Sequence, residues 1–510
     1  MYPTTIALPQ HPPYNCYNMK LTKTDFLIWR DCAHNAWLKI HRPHIYHAKP
    51  LSTFDQGIIE TGNEVDALAR DLFPGGELIA RGDKARTQAL LAARAPVLYQ
   101  PVFETDHYAM VCDMLVWNSA SERYDLYEVK ASTSGEGKKA KDELYTLDLA
   151  FQAEVLRNDG VEIGRLNLVR LDSNYVRGDA LDISALLTRE DFTERVAAIA
   201  PILAVEMATA HAVLSRPTPL PSPCNCIACG RSAHCTTFAH TNPNVPAYSI
   251  HDIARIGSSR KKLEQLVDVG ILSIVDVPLD FPLSDHQRNQ VNVARSGRAV
   301  IDDAAIGVFL ATLKFPIAFL DYETYPCGVP RFAGYSPFDQ IPFQFSLDIV
   351  AHPGAEIDHH EFLFTESGCP DESFADALCQ ALPATGSIAV WNKRFEMGIN
   401  DKLARRVPRA AAFLAALNDR VIDLMEVFTS QAYLHPEFRG SASIKAVLPA
   451  LVPSLSYKNL AIQEGGTASD TWNRIMLGAL VDSDVAQARE DLLRYCALDT
   501  RAMIEIWRSL

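Results

Sequence analysis

The sequence predicts an α/β protein made of two α/β units joined by a helical connector, and three observations predict it. Short runs rich in valine, tyrosine and leucine (PVLYQPVFE, YAMVCDMLVWN, RYDLYEVKAS) precede a helical segment, DLAFQAEVLRNDG, and a further run, RLNLVRL. A proline-rich break, RPTPLPSPCNC, interrupts that pattern. A second series of the same kind starts at FPIAFLDYET and continues to Leu510. At about 150 residues per domain, 510 residues suggest roughly three units.

Each element follows from local chemistry. LTKTDFLIWRDCAHNAWLKIH is a helix entry capped by Thr22 or Thr24, with apolar residues at helical spacing. GIIETGNEVDALARDLF is a second helix that stops before Pro74-Gly75-Gly76, and DLAFQAEVLRNDG a third that ends at Gly160. IHDIARIGSSRKKLEQLVDVGILSIVDVP gives two short helices around Gly257 and a turn at Gly270. It is a plain helical linker, or a helix-hairpin-helix whose glycine turn grips phosphate. The boundaries expected are 1–245, 246–312 and 313–510.

Composition excludes some classes. Hydrophobic residues at 48% and charged residues at 22% rule out wholesale disorder. No run approaches the roughly 18 apolar residues that cross a bilayer. The opening MYPTTIALPQHPPYNCYNMK has no basic region leading into an apolar stretch, so a cytoplasmic protein with no membrane partner is expected. A net charge of −14 excludes nucleic-acid binding by bulk charge. Local clusters, Lys138, Lys139, Lys141 and Arg260, Lys261, Lys262, are phosphate contacts or simply solvated helix faces.

The first chemical constellation is Asp113 with Glu128 and Lys130. Residues two apart on a strand share a face, so Glu128 and Lys130 put a carboxylate and an ammonium on one side of a sheet that Asp113 can join. Two carboxylates suit Mg²⁺ or Mn²⁺, and a lysine beside them can orient water or neutralise phosphate. The spacing, an upstream helix with Glu60 and Glu64, and a downstream Gln152 together resemble the PD-(D/E)XK nucleases of the RecB group. The resemblance implies a restriction-endonuclease-like fold in which one of Glu60 and Glu64, then Asp113, Glu128, Lys130 and Gln152 line one site. Leu156 stands where that group often has a tyrosine.

Eleven cysteines without an export signal point to metal and not to disulfides. CNCIACGRSAHC contains Cys226-x2-Cys229-x5-Cys235, with Cys224 as an extra thiol, and Cys32 lies far upstream. Four thiolates in so short a segment also suit a local zinc site. One cysteine at the start of a domain and a C-x2-C-x5-C at its end resemble the iron–sulfur nucleases, meaning AddB-type helicase–nucleases and CRISPR-associated RecB-like exonucleases. That likeness implies a [4Fe-4S] cluster held by Cys32, Cys226, Cys229 and Cys235, with Cys224 the replacement for any of them.

The second constellation starts on PIAFLDYETY, where Asp321 and Glu323 share a face. SIAVWNKRFEMG, at the end of another strand, offers Glu396. In the helix DLLRYCALDTRAM, Tyr495 and Asp499 stand at i and i+4, one above the other. The set resembles the ribonuclease H-like DEDD exonucleases that carry a tyrosine four residues before the last aspartate. The resemblance implies that Asp321, Glu323, Glu396 and Asp499 bind metal and that Tyr495 positions water. Glu396 departs from the usual aspartate, and Asp423 in RVIDLMEVF is available to assist it. PRFAGYSPFDQIPFQFS supplies aromatics for the core or for stacking on unpaired bases, and Lys445 can meet a phosphate.

YEVKAS, DLAFQAEVL, DYETY, PFQFS, GSASIKAVLP and LLRYCALDT together are similar to a bacterial family of unknown function that fuses these two domains across the whole chain. The function this implies is a Mg²⁺- or Mn²⁺-dependent nuclease acting on DNA single strands or ends, in DNA repair or defence against foreign DNA, with a helicase or other repair proteins as partners. The alternatives are a nucleic-acid-binding protein with one degenerate site, and an RNA 3′-end exonuclease.

Overall fold

A computed structural model describes residues 19–46, 52–134, 139–221 and 224–510, and its architecture is mixed α/β. Lys138 lies outside the described residues.

In the N-terminal part, six strands form one sheet in the order Glu77–Leu78, Val97–Tyr99, Met114–Asn118, Arg123–Thr133, Ile163–Leu171 and Leu187–Asp191. Arg123–Thr133 and Ile163–Leu171 run parallel, which demands a crossover, and the helix Lys139–Asn158 provides it. That helix packs Leu149, Phe151, Val155 and Leu156 against Leu126 and Leu168. The opposite face, including Val129 and Val169, is covered by Val65 and Ala69 of the helix Thr53–Arg70. Burial on both faces explains why RYDLYEVKAS reads as nearly continuous apolar sequence around its polar positions. The first predicted helix is two helices, Lys23–Asp31 and Ala33–His41, because Cys32 between them adopts an extended backbone.

One helix, Thr193–Leu214, corrects the expectation that no segment reaches bilayer length: by length and composition it is apolar enough to cross a membrane. Its inner residues Val196, Leu203, Met207, Ala210 and Leu214 pack into the N-terminal core. Two of its charged residues are paired, Arg195 with Asp142 at 3.2 Å and Glu206 with Arg30 at 3.2 Å.

The segment 250–296 holds short 3₁₀ turns and the helices Arg260–Asp268 and Asp285–Ser296 around a small apolar core. A β-carbon at Gly230 of the cysteine loop would lie 2.7 Å from the Gly257 α-carbon, so the two glycines are where these backbones press together.

The C-terminal sheet has the order Ile357–Leu363, Asp339–Val350, Ile317–Cys327, Ser387–Val390 and Val421–Asp423. The first three are antiparallel and the last two join in parallel. The long helix Asp482–Ser509 lies across it, with Met503 and Ile504 against Ile317 and Phe319. Most aromatics of the 330–346 segment are core: Tyr335, Phe343 and Phe345 are buried, and Phe343 stacks on Trp472 at 4.7 Å. Phe338 is the exposed exception. The two parts touch directly. Arg177 and the 330–335 loop exchange backbone bonds, Arg177 N–H to Tyr335 O at 2.9 Å and Gly334 N–H to Arg177 O at 2.8 Å.

Candidate functional site

Three groups of chemistry-bearing side chains are assembled. In the N-terminal sheet, Glu128 and Lys130 extend from the same strand face, as their spacing requires, and their side chains bond to each other. Asp113, between two strands, accepts the Val129 N–H at 2.7 Å. Gln152 reaches down from the crossover helix and donates to Glu128 Oε2 at 2.6 Å and to Asp148 Oδ1 at 3.0 Å. The four predicted residues are therefore brought together.

Neither predicted upstream acid joins them. Glu60 is exposed, and Glu64 faces the C-terminal part, where the Arg331 guanidinium opposes the upward push of burial on its carboxyl. The acid that does approach is Asp66, joined to Asp113 through the Gln100 amide at 3.3 and 3.5 Å. The helix explains the correction: Val65 and Ala69 face the sheet, Asp66 adjoins them, and Glu60 and Glu64 lie on the other side. Two further residues were not foreseen. Lys23 lies 3.1 Å from Glu128 and 2.8 Å from Asp148, and Lys130 lies 2.7 Å from Asp148. Asp148 is one helical turn before Gln152 and so was legible in DLAFQ, whereas nothing marks Lys23 in the sequence. Burial and the Glu128 charge push Asp113 well above the usual carboxylate range. Burial opposes ionisation of Glu128 too, yet Lys130 and Lys23 hold its carboxyl low.

The second group is thiol. Cys32, Cys224, Cys226 and Cys235 place their sulfurs within 4.8 Å of one another, with Cys32–Cys224 at 3.3 Å and Cys224–Cys235 at 3.8 Å. Four such thiols can hold a metal ion or cluster. Cys229 is corrected: it caps the 3₁₀ turn Asn225–Ala228 half-exposed, near Asn225 O at 3.9 Å, and Cys224 takes its place. The turn puts Cys226 on its buried side and sends Cys229 outward. The hydrogen bonds among these thiols favour the thiolate at Cys224 and oppose it at Cys32 and Cys226, as expected of sulfurs that share protons with one another.

The third group is carboxylate. Asp321 and Glu323 on one strand and Asp499 on the long helix bring oxygens within 4.8 Å of one another. Glu396 does not lie at a strand end. It sits in the first turn of the helix Lys393–Arg406, buried, with Oε2 lacking any hydrogen-bond partner among the described residues. Its charge adds to those of Asp499 and Glu323 in raising Asp321, after burial as the main cause. Burial pushes Glu396 itself up to about 8 and Asp499 up to about 6. Such a set of buried carboxylate oxygens could hold a cation through hard oxygen ligands. Asp423 does not substitute for Glu396, because its oxygens already accept the Asn392, Lys393 and Met425 N–H groups at 2.9, 3.0 and 3.0 Å.

Tyr495 is buried one turn before Asp499. A second tyrosine, Tyr457, donates to Asp499 Oδ1 at 2.5 Å. Lys445 donates to Gln463 O at 2.7 Å, and its ammonium lies 5.5 and 5.6 Å from the Tyr457 and Tyr495 rings. The N-terminus of the helix Gly465–Met476 closes the group, since a β-carbon on Gly465 would meet Glu323 Oε2 at 3.7 Å and the Tyr495 hydroxyl at 3.9 Å.

Residues 318–443 match a domain family described as a domain of unknown function, DUF2779. The chain is 28% identical over 220 residues to uncharacterized protein MG366 of Mycoplasma genitalium, which covers 38% of this chain and 32% of the relative. It is 24% identical over 287 residues to uncharacterized protein UU173 of Ureaplasma parvum, covering 52% of this chain and 41% of the relative. The chain thus spans about a third of the length of the first of these relatives.

Proposed function

We propose that the protein is a metal-dependent nuclease, hydrolysing phosphodiester bonds of DNA at single strands or ends, in repair or in defence against foreign DNA. In this reading the C-terminal part is a ribonuclease H-like DEDD exonuclease domain and the N-terminal part a PD-(D/E)XK domain. The observation that carries it is the convergence of Asp321, Glu323 and Asp499 oxygens within 4.8 Å, with Glu396 buried near Asp321 and its Oε2 without a hydrogen-bond partner among the described residues. The strand order, antiparallel on one side of Ile317–Cys327 and parallel on the other, is in keeping with it.

Mg²⁺ or Mn²⁺ bound there would lower the pKa of a water and offset charge on the leaving oxygen. The residues supply the rest. Asp321, Glu323 and Asp499 offer hard oxygens, Tyr457 fixes the Asp499 rotamer, Tyr495 stands where its hydroxyl can orient the attacking water, and Lys445 brings positive charge toward the phosphate. In the N-terminal cluster, Asp113 and Glu128 are the oxygen donors and Lys130 is the cation for phosphate or water.

The thiol group is read as the metal staple of the N-terminal domain, a [4Fe-4S] cluster by resemblance. A single zinc is favoured by the spacing of the sulfurs, which is close to the roughly 3.8 Å edge of a tetrahedron around one ion with bonds of about 2.3 Å.

End-labelled single-stranded DNA, duplex DNA and RNA incubated with Mg²⁺ or Mn²⁺ test the reading. Asp321→Ala and Glu128→Ala are each expected to remove at least a hundredfold of one separable cleavage activity. Binding without cleavage by the unaltered protein, on all three substrates, would reduce the protein to a nucleic-acid-binding one.

A further inference from the structure

We infer that Lys23 is a positioning residue of the N-terminal acid cluster, one that holds Glu128 and Asp148 and competes with a divalent ion for Glu128. This deepens the nuclease reading and rests on it.

Lys23 opens the helix Lys23–Asp31, directly after Thr22, whose hydroxyl caps the Asp25 N–H at 3.2 Å. The other end of that helix is Cys32, in the thiol group, so the lysine is held at both ends of a rigid element. Its ammonium lies between Glu128 and Asp148, 3.1 and 2.8 Å away, and Lys130 bridges the same two carboxylates from the other side. Two acids and two lysines therefore alternate in a ring, and Gln152 donates to both acids. Glu128 and Asp148 expose only 3% and 7% of their side chains, so water and salt screen these charges weakly.

Lys23 already occupies the Glu128 Oε1 that an incoming divalent ion would take. Lys23 thus holds Glu128 and Asp148 in place and must yield Glu128 to the ion.

Two ammoniums on Glu128 also compete with the incoming ion, which gives the inference an opposed signature. In the full-length chain carrying Asp321→Asn, Glu323→Gln and Asp499→Asn to silence the other site, Mn²⁺ binding by calorimetry and cleavage of single-stranded DNA are measured together. Lys23→Met is expected to bind Mn²⁺ roughly tenfold more tightly, while cleavage falls roughly tenfold. Lys23→Arg, which keeps the charge, is expected to restore both. Unchanged affinity and rate in Lys23→Met, or a parallel loss of both that Lys23→Arg does not rescue, would overturn it. Glu128→Gln separates the two readings. If it abolishes Mn²⁺ binding while Lys23→Met changes nothing, Lys23 alone is misassigned; if it changes neither binding nor cleavage, the N-terminal nuclease reading fails.

Discussion

Cys224 and Cys229 sit five residues apart in the same loop and have opposite surroundings. Cys224 is buried at 3.3 Å from Cys32, while Cys229 points outward from the end of a 3₁₀ turn. Removing a buried ligand from a four-thiol site costs the metal, and removing the half-exposed neighbour does not. In protein purified without oxygen, Cys224→Ser is expected to lose most of its bound iron or zinc, and Cys229→Ser to keep it. Equal loss in both would return Cys229 to the ligand set. At this scale the sequence carried pairs on one element well: Glu128 with Lys130 and Asp321 with Glu323 by strand alternation, Tyr495 with Asp499 by the helical turn. It carried Asp66 only through the phase of Val65 and Ala69, which a reader intent on glutamates passes over. Lys23 had no local signal, because its position depends on where a distant helix is pinned.

Among elements, the parallel junction of the C-terminal sheet is the tightest. Ser387–Val390 pairs with Ile317–Phe319, and Gly386 precedes it at φ +90° with space for a β-carbon only 2.0 Å from Pro316 O. Any side chain there must push the strand away, and the left-handed backbone adds strain. Gly386→Ala is expected to destabilise the protein by about 2–4 kcal/mol in a denaturant titration. The strands flanking the acids would separate, so cleavage assigned to Asp321 should fall in step. The long strands and helices of both parts were legible because burial imposes period on the sequence over many residues. Two features escaped. The break at Cys32 is one extended residue inside an otherwise helical pattern, and Glu396 sits past the strand end because Asp423 caps the next helix, a contact made across two strands. The apolar helix Thr193–Leu214 was missed for a different reason: Glu194, Arg195 and Glu206 interrupt it in sequence, although they are ion-paired or confined to its ends.

For the molecule as a whole, buried acids link stability to pH. Burial raises Asp499 to about 6 and Glu396 to about 8 in the folded protein, against roughly 3.9–4.3 in an unfolded chain. Between those values the folded state holds protons that the unfolded chain has released. Stability is therefore fullest below the unfolded values and declines as pH rises through the folded ones. The metal-free protein is expected to melt at progressively lower temperature from about pH 5 to about pH 8, by calorimetry. Mn²⁺ should cancel the slope by taking the place of the protons. A flat profile without metal would mean that these acids are not held as described.

The thiol group also imposes an order on manufacture. Cys32 meets Cys224 across 192 positions, so the helix that carries Lys23 cannot be pinned until Cys224, Cys226 and Cys235 have been synthesised. Asp113 and Glu128 emerge about a hundred residues earlier, which at roughly 5–20 residues per second is a delay of about 5–20 s. A nascent chain therefore carries Asp113 and Glu128 before the cysteines that meet Cys32, at the far end of the Lys23 helix, exist.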